Sequence, residues 1–307
     1  MKIKDDFVGE NKRIDIISKG GYPTIIPLDW RPILVDCQMV VVVPDMHMSI
    51  FNTTLDNFKY GAEAMLDFLT HVRRIQRRLE RNDGLLRVYQ IGDMYELRFP
   101  GRDVNATVSE IKLSSDDYSQ ILDAFERLFT NKLYGNHDFE NRHFQNSAFC
   151  YSEGKIYLEH GFAADTWSAN PQSPLWDPAM LGFYEIRRLN EFFNGLLDKF
   201  HLLNPDKTSS WGVGSGDVER SDYPTDADYE RDQGYIKKYY CDRMRNHKNQ
   251  GGCRITIIGH THMPHLDANV DGGSYMYVDC GAWTVRRSDF VVVTDEELAL
   301  CHYRRKA

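Results

Sequence analysis

The run Met39-Val40-Val41-Val42-Val43 is unbroken and rich in β-branched residues, the pattern of a strand buried on both faces of a sheet. It ends at Asp45 and His47. From Phe58 to Arg81 the period changes: Phe58, Met65, Phe68, Leu69, Val72, Ile75 and Leu79 recur mostly at steps of three and four, which predicts an amphipathic helix. The opposite face carries Arg73, Arg74, Arg77, Arg78 and Arg81, read as a solvated face whose cations lie toward the helix C-terminus, where the macrodipole favours them. Asn82-Asp83-Gly84 breaks the helix, and Leu85 to Ile91 reads as a second strand ending at Gly92-Asp93. A second stripe of Tyr118, Ile121, Leu122, Phe125 and Leu128 predicts a helix over 116–129. A short strand, Asn131 to Tyr134, then runs into Gly135-Asn136-His137-Asp138. Strand, helix, strand, helix, strand in this rhythm predicts parallel crossovers in an α/β sheet.

Residues 1–38, punctuated by Gly20-Gly21, Pro23, Pro27 and Pro32, read as an irregular extension on the outside. Ala148 to Tyr151 and Lys155 to Glu159 read as two strands around Glu153-Gly154, the second delivering His160. Between 165 and 250 the rhythm becomes helical, with a start at Asp177-Pro178 and a stop at Asn204-Pro205. The glycines of 211–217 follow no strand and end in no Gly-Lys-Ser/Thr, so they read as a flexible loop, not a phosphate cradle. Arg254 to Ile258 returns to strand and delivers His260 and His262; Tyr275 to Cys280, Phe290 to Thr294 and Leu298 to Tyr303 are further strands. The expected plan is an N-terminal extension (1–38), a core formed by 39–164 and 251–307, and a helical insertion or cap (165–250).

Length and charge narrow the function. A chain of 307 residues can bury a full core. A formal charge of -8 and a pI near 5.8 offer no global positive field to a nucleic-acid backbone or an anionic membrane, so nucleic acid is not an expected partner. Cys37, Cys150, Cys241, Cys253, Cys280 and Cys301 are dispersed, with no CxxC pair, and read as reduced thiols. The charged start Met1-Lys2-Ile3-Lys4-Asp5-Asp6 has no secretory pattern, and no apolar run approaches the ~20 residues of a membrane-spanning helix. The expected compartment is the cytoplasm; the oligomeric state is left open.

Five short clusters of Asp and His each follow an apolar run: Asp45-Met46-His47, Gly92-Asp93-Met94-Tyr95-Glu96, Gly135-Asn136-His137-Asp138, His160-Gly161 and Gly259-His260-Thr261-His262. Ligand sites in open α/β sheets form at the carboxyl ends of strands, so clusters far apart in sequence can converge there. On a strand, residues at i and i+2 point to the same side, so Asp45 with His47 and His260 with His262 can each aim a pair into one cleft. Carboxylates, imidazoles and one amide, without a thiolate, suit Mn, Fe or Zn better than a soft-metal site or a dedicated Ca or Mg cage. Asp45, His47, Asp93, Asn136, His160, His260 and His262 are too many for one ion; two ions sharing Asp93, on its glycine turn, would use them all.

The ordered set DxH, GDxxE, GNHD, HG and GHTH resembles the calcineurin-like metallophosphoesterases, over positions 45 to 262. The resemblance implies a four-layer αββα sandwich with a helical insertion over the active-site face. It implies a binuclear enzyme hydrolysing a phosphate monoester, diester or pyrophosphate of a small phosphorylated substrate, with a hydroxide nucleophile bridging two divalent or trivalent transition metals (Mn, Fe or Zn, manganese foremost). Carried over by position, Asp45, His47, Asp93 and His262 would hold one metal, and Asp93, Asn136, His160 and His260 the other. His137 would bind phosphate or protonate the leaving group, and Asp138 would orient its imidazole. The chain departs from the Ser/Thr phosphatase branch at Glu96 and Asp138, and has Phe162 where many members have a further His after the His-Gly pair. Gly92 to Glu96, Gly259 to Pro264 and Tyr277 to Trp283 resemble the branch that hydrolyses UDP-diacylglucosamine, which usually carries Arg at the position of His137. That branch is one alternative, and a non-catalytic scaffold of the same fold, like the retromer subunit, is another.

Overall fold

The structure, a computed structural model, describes residues 2–9, 11–19, 22–23, 25–52, 56, 58–97, 104–135, 137–138, 147–162, 240, 252–270, 272–284 and 287–304. Asn136 and all but Tyr240 of the expected insertion (165–250) lie outside these residues, as does Cys241.

In chain order the strands are β1 (Ile14–Ile16), β2 (Ser18–Lys19), β3 (Tyr22–Pro23), β4 (Ile25–Pro27), β5 (Met39–Val43), β6 (Leu86–Ile91), β7 (Asn131–Leu133), β8 (Ser147–Ala148), β9 (Cys150–Glu153), β10 (Ile156–Glu159), β11 (Ile255–Ile258), β12 (His265–Val270), β13 (Tyr275–Asp279), β14 (Asp289–Thr294) and β15 (Glu297–Tyr303). The helices are α1 (Ala62–Glu80), α2 (Val104–Leu113) and α3 (Asp116–Arg127), with one π-helical turn at Lys4–Val8. One sheet runs β1-β15-β14-β5-β6-β7-β8, with β4 also on β15; a second runs β12-β13-β11-β10-β9; β2 and β3 form a small hairpin. β5, β6, β7 and β8 are parallel, as the strand-helix rhythm predicts, and so are β10, β11 and β13.

The valine run shows how the layers form. All five residues of β5 are buried. Met39, Val41 and Val43 face one cluster with Met65, Phe68, Leu69, Val72 and Ile75 of α1 and Ile121, Leu122 and Phe125 of α3. Val40 and Val42 face the other way, into a cluster with Ile156 and Leu158 of β10, Ile255 and Ile257 of β11, and Met276 and Val278 of β13. Two sheets therefore pack face to face, with helices covering the outer side of the first, an α/β sandwich. On the outer side of the second sheet, Tyr157, Ile258 and Tyr277 bury the helical Tyr240, whose hydroxyl donates to Glu159 at 2.9 Å.

The N-terminal region corrects one expectation. It is not an irregular outer extension: β1 pairs antiparallel with β15, β4 adds Ile25, Ile26 and Pro27 to the same strand, and Ile3 and Phe7 are fully buried. Pro23 and Pro27 sit at the ends of β3 and β4, where a missing N–H costs little, and Pro32 lies in the loop before β5. α2 and β12 were also not anticipated. The mixed sequence His265-Leu266-Asp267-Ala268-Asn269-Val270 pairs with β13 through a register shift between Asp267 and Val270, which blurs its alternation.

Candidate metal centre

Every predicted cluster in the described residues lies just past the carboxyl end of a parallel strand: Asp45 after β5, Asp93 after β6, His137 after β7, His160 after β10 and His260 after β11. Because β5–β7 belong to one sheet and β10–β11 to the other, the loops meet where the two sheets share an edge. Backbone bonds lock them together. The amides of Met46 and His47 both donate to Asp93 O (2.9 Å each), Leu97 N to His137 O (3.1 Å), Gly259 N to His160 O (2.8 Å) and Trp283 N to Asp45 O (2.7 Å).

The ligand pairs converge by a route other than strand alternation. His47 (φ 51°), Asp93 (φ 48°), His260 (φ 71°) and His262 (φ 58°) all adopt the left-handed conformation, and none lies in a strand. Non-glycine residues occupy that region at a cost of about 1–3 kcal/mol each, with Asn, Asp and His the most tolerant, and such outliers cluster at functional sites. Two glycines permit the crowding. A Cβ on Gly92 (φ 99°) would lie 2.7 Å from the His160 ring, and one on Gly135 would collide with the Asp93 carboxylate.

Three sets of ligand atoms lie within 4.8 Å of one another: Asp45, His47 and His262; His47, Asp93 and His137; and Asp93, His160 and His260. Asp45, His47, Asp93, His160 and His262 are at most 2% exposed. His47 Nε2 lies 3.1 Å from His262 Nε2 and 3.8 Å from Asp93 Oδ2. His160 Nε2 lies 3.2 Å from Asp93 Oδ2, and His262 Nε2 3.5 Å from Asp45 Oδ1. The Asp45 carboxylate also accepts the His260 amide at 3.0 and 3.1 Å.

Glu96 is the residue that sequence reasoning missed. It is buried between two imidazoles, with Oε2 3.3 Å from His47 Nδ1 and 3.0 Å from His137 Nδ1. Asp138, expected to orient the His137 ring, accepts backbone amides: Gly135 at 2.7 Å, Met94 at 2.9 Å, Asp93 at 3.2 Å and Tyr95 at 3.4 Å. Its carboxylate ties the turn after β7 to the turn after β6. The signal for Glu96 was present, since it closes the GDxxE cluster three residues after Asp93. Asp279 at the end of β13 was also missed. It accepts the Thr261 hydroxyl at 2.5 Å and the Gly281 amide at 3.1 Å, pinning the His260–His262 turn. Phe162, fully buried, puts its ring 5.6 Å from that of His160 and makes that wall apolar.

The electrostatics favour positive charge here. Burial opposes ionisation of Asp45 and Asp93, yet the neighbouring imidazoles outweigh it: His160 and His262 lower Asp45, and His160, His137 and His47 hold Asp93 well below the usual carboxylate range. Burial also opposes charge on His160, but Asp93 and Asp45 push its pKa up to about 10. For Asp138 burial dominates and Asp93 adds repulsion, which together raise it to about 7.

The donor set fits transition-metal ions. His160 Nδ1 lies 3.0 Å from the Ile91 carbonyl, which can only accept, so that nitrogen carries a hydrogen and Nε2 is the atom left for a metal, which would displace the proton that Nε2 otherwise shares with the Asp93 carboxylate. His47 Nδ1 faces Glu96, and its Nε2 is aimed at the ring nitrogen of His262. Ring nitrogens gathered around carboxylates are a set whose protons a cation can displace and whose lone pairs it then takes. Second carboxylate or carbonyl partners on metal-binding imidazoles set the tautomer in the same way.

No family model matches the chain, and no curated protein matches it. Among solved structures, a dimetal phosphatase from Danio rerio aligns over 89% of this chain and 98% of its own, at 12% identity and a TM-score of 0.46. A point mutant of a cold-active protein tyrosine phosphatase aligns over 87% and 80% (12% identity, TM-score 0.31), and another structure of a cold-active protein tyrosine phosphatase over 85% and 76% (10% identity, TM-score 0.25). Likenesses this distant carry no weight for activity, which must be argued from the side chains themselves.

Proposed function

We propose that the chain is a phosphoesterase that works with two transition-metal ions. The observation that supports this best is the double use of Asp93. One oxygen, Oδ2, faces His160 at 3.2 Å and His47 at 3.8 Å, while Oδ1 accepts the His137 amide at 2.8 Å. Asp45, His47, Asp93 and His262 would hold one ion; Asp93, His160 and His260, with Asn136, would hold the other. Such ions supply Lewis acidity toward water and phosphoryl oxygens. Manganese, a small phosphate ester or pyrophosphate as substrate, and a cytoplasmic setting belong to the same proposal; among the described residues no helix is long and apolar enough to cross a membrane.

The side chains supply the rest. Glu96 accepts the Nδ1 hydrogen of His137, which fixes the ring, and Nε2 would be the atom that meets a phosphoryl or leaving-group oxygen. A protonated His137 then donates from Nε2 to the departing oxygen as general acid. Asp138 holds four backbone amides and so keeps Asp93 and His137 in mutual register.

The test is hydrolysis of aryl phosphate monoester, aryl phosphate diester and pyrophosphate by protein loaded with Mn, Fe or Zn. His137→Ala is expected to lose turnover by about 10²–10⁴-fold, the span of general acid–base catalysis, with metal content unchanged by elemental analysis. Absence of hydrolysis with every metal and substrate would refute the enzyme and favour a metal-binding scaffold.

A further inference from the structure

The arginines of α1 do more than cover a solvated face. A groove of about 530 Å³ runs between α1 and α3, floored by aliphatic side chains including Leu69 and Leu128 and bordered by Arg73, Arg77, Arg81 and Arg127. Among the described residues that line it, none is acidic and none is aromatic. α1 and α3 lead into β6 and β7, so their C-termini lie at the end of the sheet opposite the candidate metal centre.

The helix dipole accounts for only part of this. Its benefit is confined to the last turn, which on α1 holds Arg77 and Arg78; Arg73 lies further back. Arg73, Arg77 and Arg81 follow at i, i+4 and i+8, a row of like charges about 6 Å apart that costs a helix stability in the absence of counter-charge. Arg73 meets Gln76 and, at 3.9 Å, Glu80. The Arg77 guanidinium has no hydrogen bond or ion pair among the described residues. Arg81 and Arg127 direct Nε to carbonyls of their own helices, Arg77 O at 3.2 Å and Asp123 O at 3.1 Å, while the Asp123 carboxylate is taken by Lys112 at 2.6 Å.

We infer that this groove is a docking site for an acidic peptide segment of a partner protein, with carboxylates on the arginine row and an aliphatic side chain on the floor. A row about 12 Å long matches charge spread along a chain, not charge gathered in one phosphate. Guanidinium forks suit carboxylates geometrically. A nucleic-acid strand is the poorer fit: the described residues lining the groove include no aromatic platform for bases, and the protein's net charge is -8. The site is independent of the metal centre and of its chemistry.

The test is fluorescence anisotropy on the intact protein with a labelled nine-residue peptide alternating Glu and Leu. The controls are the same peptide with Lys for Glu, a single-stranded RNA and tripolyphosphate. The Glu/Leu peptide should bind saturably and lose affinity as salt rises. Arg77→Ala with Arg127→Ala should weaken it about tenfold, with unchanged Tm and unchanged aryl phosphate hydrolysis. Arg77→Glu with Arg127→Glu should reverse the preference toward the Lys peptide. Equal binding by the double alanine variant, tighter binding of RNA or tripolyphosphate, or no saturable binding would overturn the inference.

Discussion

Glu96→Gln probes the centre without touching a proposed metal ligand. The glutamate accepts from both His137 Nδ1 (3.0 and 3.2 Å) and His47 Nδ1 (3.3 Å), and it is 1% exposed, so no water can replace it cheaply. Glutamine keeps the shape, and an oxygen in the Oε2 position still meets both rings, but the charge is gone and amide hydrogens replace the Oε1 that also accepted from His137. Losing the charge assistance is worth about 1.5–3 kcal/mol, or roughly ten- to hundredfold in turnover or metal affinity. Because His47 faces the ions and His137 the substrate, the loss should divide: weaker retention of one metal equivalent, and lower kcat at saturating metal with KM little changed. Global stability should hardly fall, since a buried charge leaves with the bond. The assay is kcat and KM on aryl phosphate across a metal titration, with elemental analysis after dialysis and Tm by calorimetry. A variant that keeps both metal equivalents and a kcat within about twofold of wild type would refute the role assigned to Glu96.

Three further outcomes follow from neighbouring contacts. Asp93→Asn removes the carboxylate shared by His47, His160 and the His137 amide, so both metal equivalents should drop together by at least about tenfold in affinity; loss of one alone, read by elemental analysis, would contradict the sharing. Gly135→Ala drives a methyl into the Asp93 carboxylate and should cost about 1–3 kcal/mol in urea unfolding, together with metal; an unchanged midpoint would show that the two turns separate freely. His71 gives a pH test away from the centre. Its Nε2 donates to Phe7 O at 3.0 Å, its Nδ1 accepts from Arg74 at 2.9 Å, and burial first, then the Arg74 charge, lowers its pKa to about 4. The unfolded chain therefore binds this proton near pH 6.5 and the folded one only near 4, so stability is lost as pH falls through that window. Near pH 5, unfolding should take up roughly one proton more in wild type than in His71→Gln, and parallel Tm–pH curves would refute it.

The sequence and the structure differ most where short-range patterns conflict with long-range pairing. The valine run and the two amphipathic stripes were legible because each is a periodic signal repeated over several residues, and β5, α1 and α3 form within a few residues of the expected bounds. β1 and β4 were not, because three-residue strands carry almost no periodicity and β4 also ends in a proline; their existence depends on β15, nearly the whole chain away. The metal-centre residues were legible by type, since Asp and His after apolar runs are costly to place without a use. Their geometry was not, because strand alternation predicted one route to convergence and the chain takes another.

That other route explains why the centre is so heavily buttressed. Four proposed ligands in left-handed conformation, about 1–3 kcal/mol each, would relax into commoner turns if the loops were independent. They are not independent. His47 N donates to Asp93 O, the His260 amide to Asp45, the His137 amide to Asp93, and Asp138 gathers the amides of both turns after β6 and β7. His47, Asp93 and His260 are thus each held by a neighbour that is itself a proposed ligand or that ligand's support, so their strain can relax only if several loops move together. Glu96 and Asp138, with Asp279 at the His260–His262 turn, are carboxylates that brace this mesh without belonging to the proposed ligand set. Glu96 holds rings and Asp138 holds backbone.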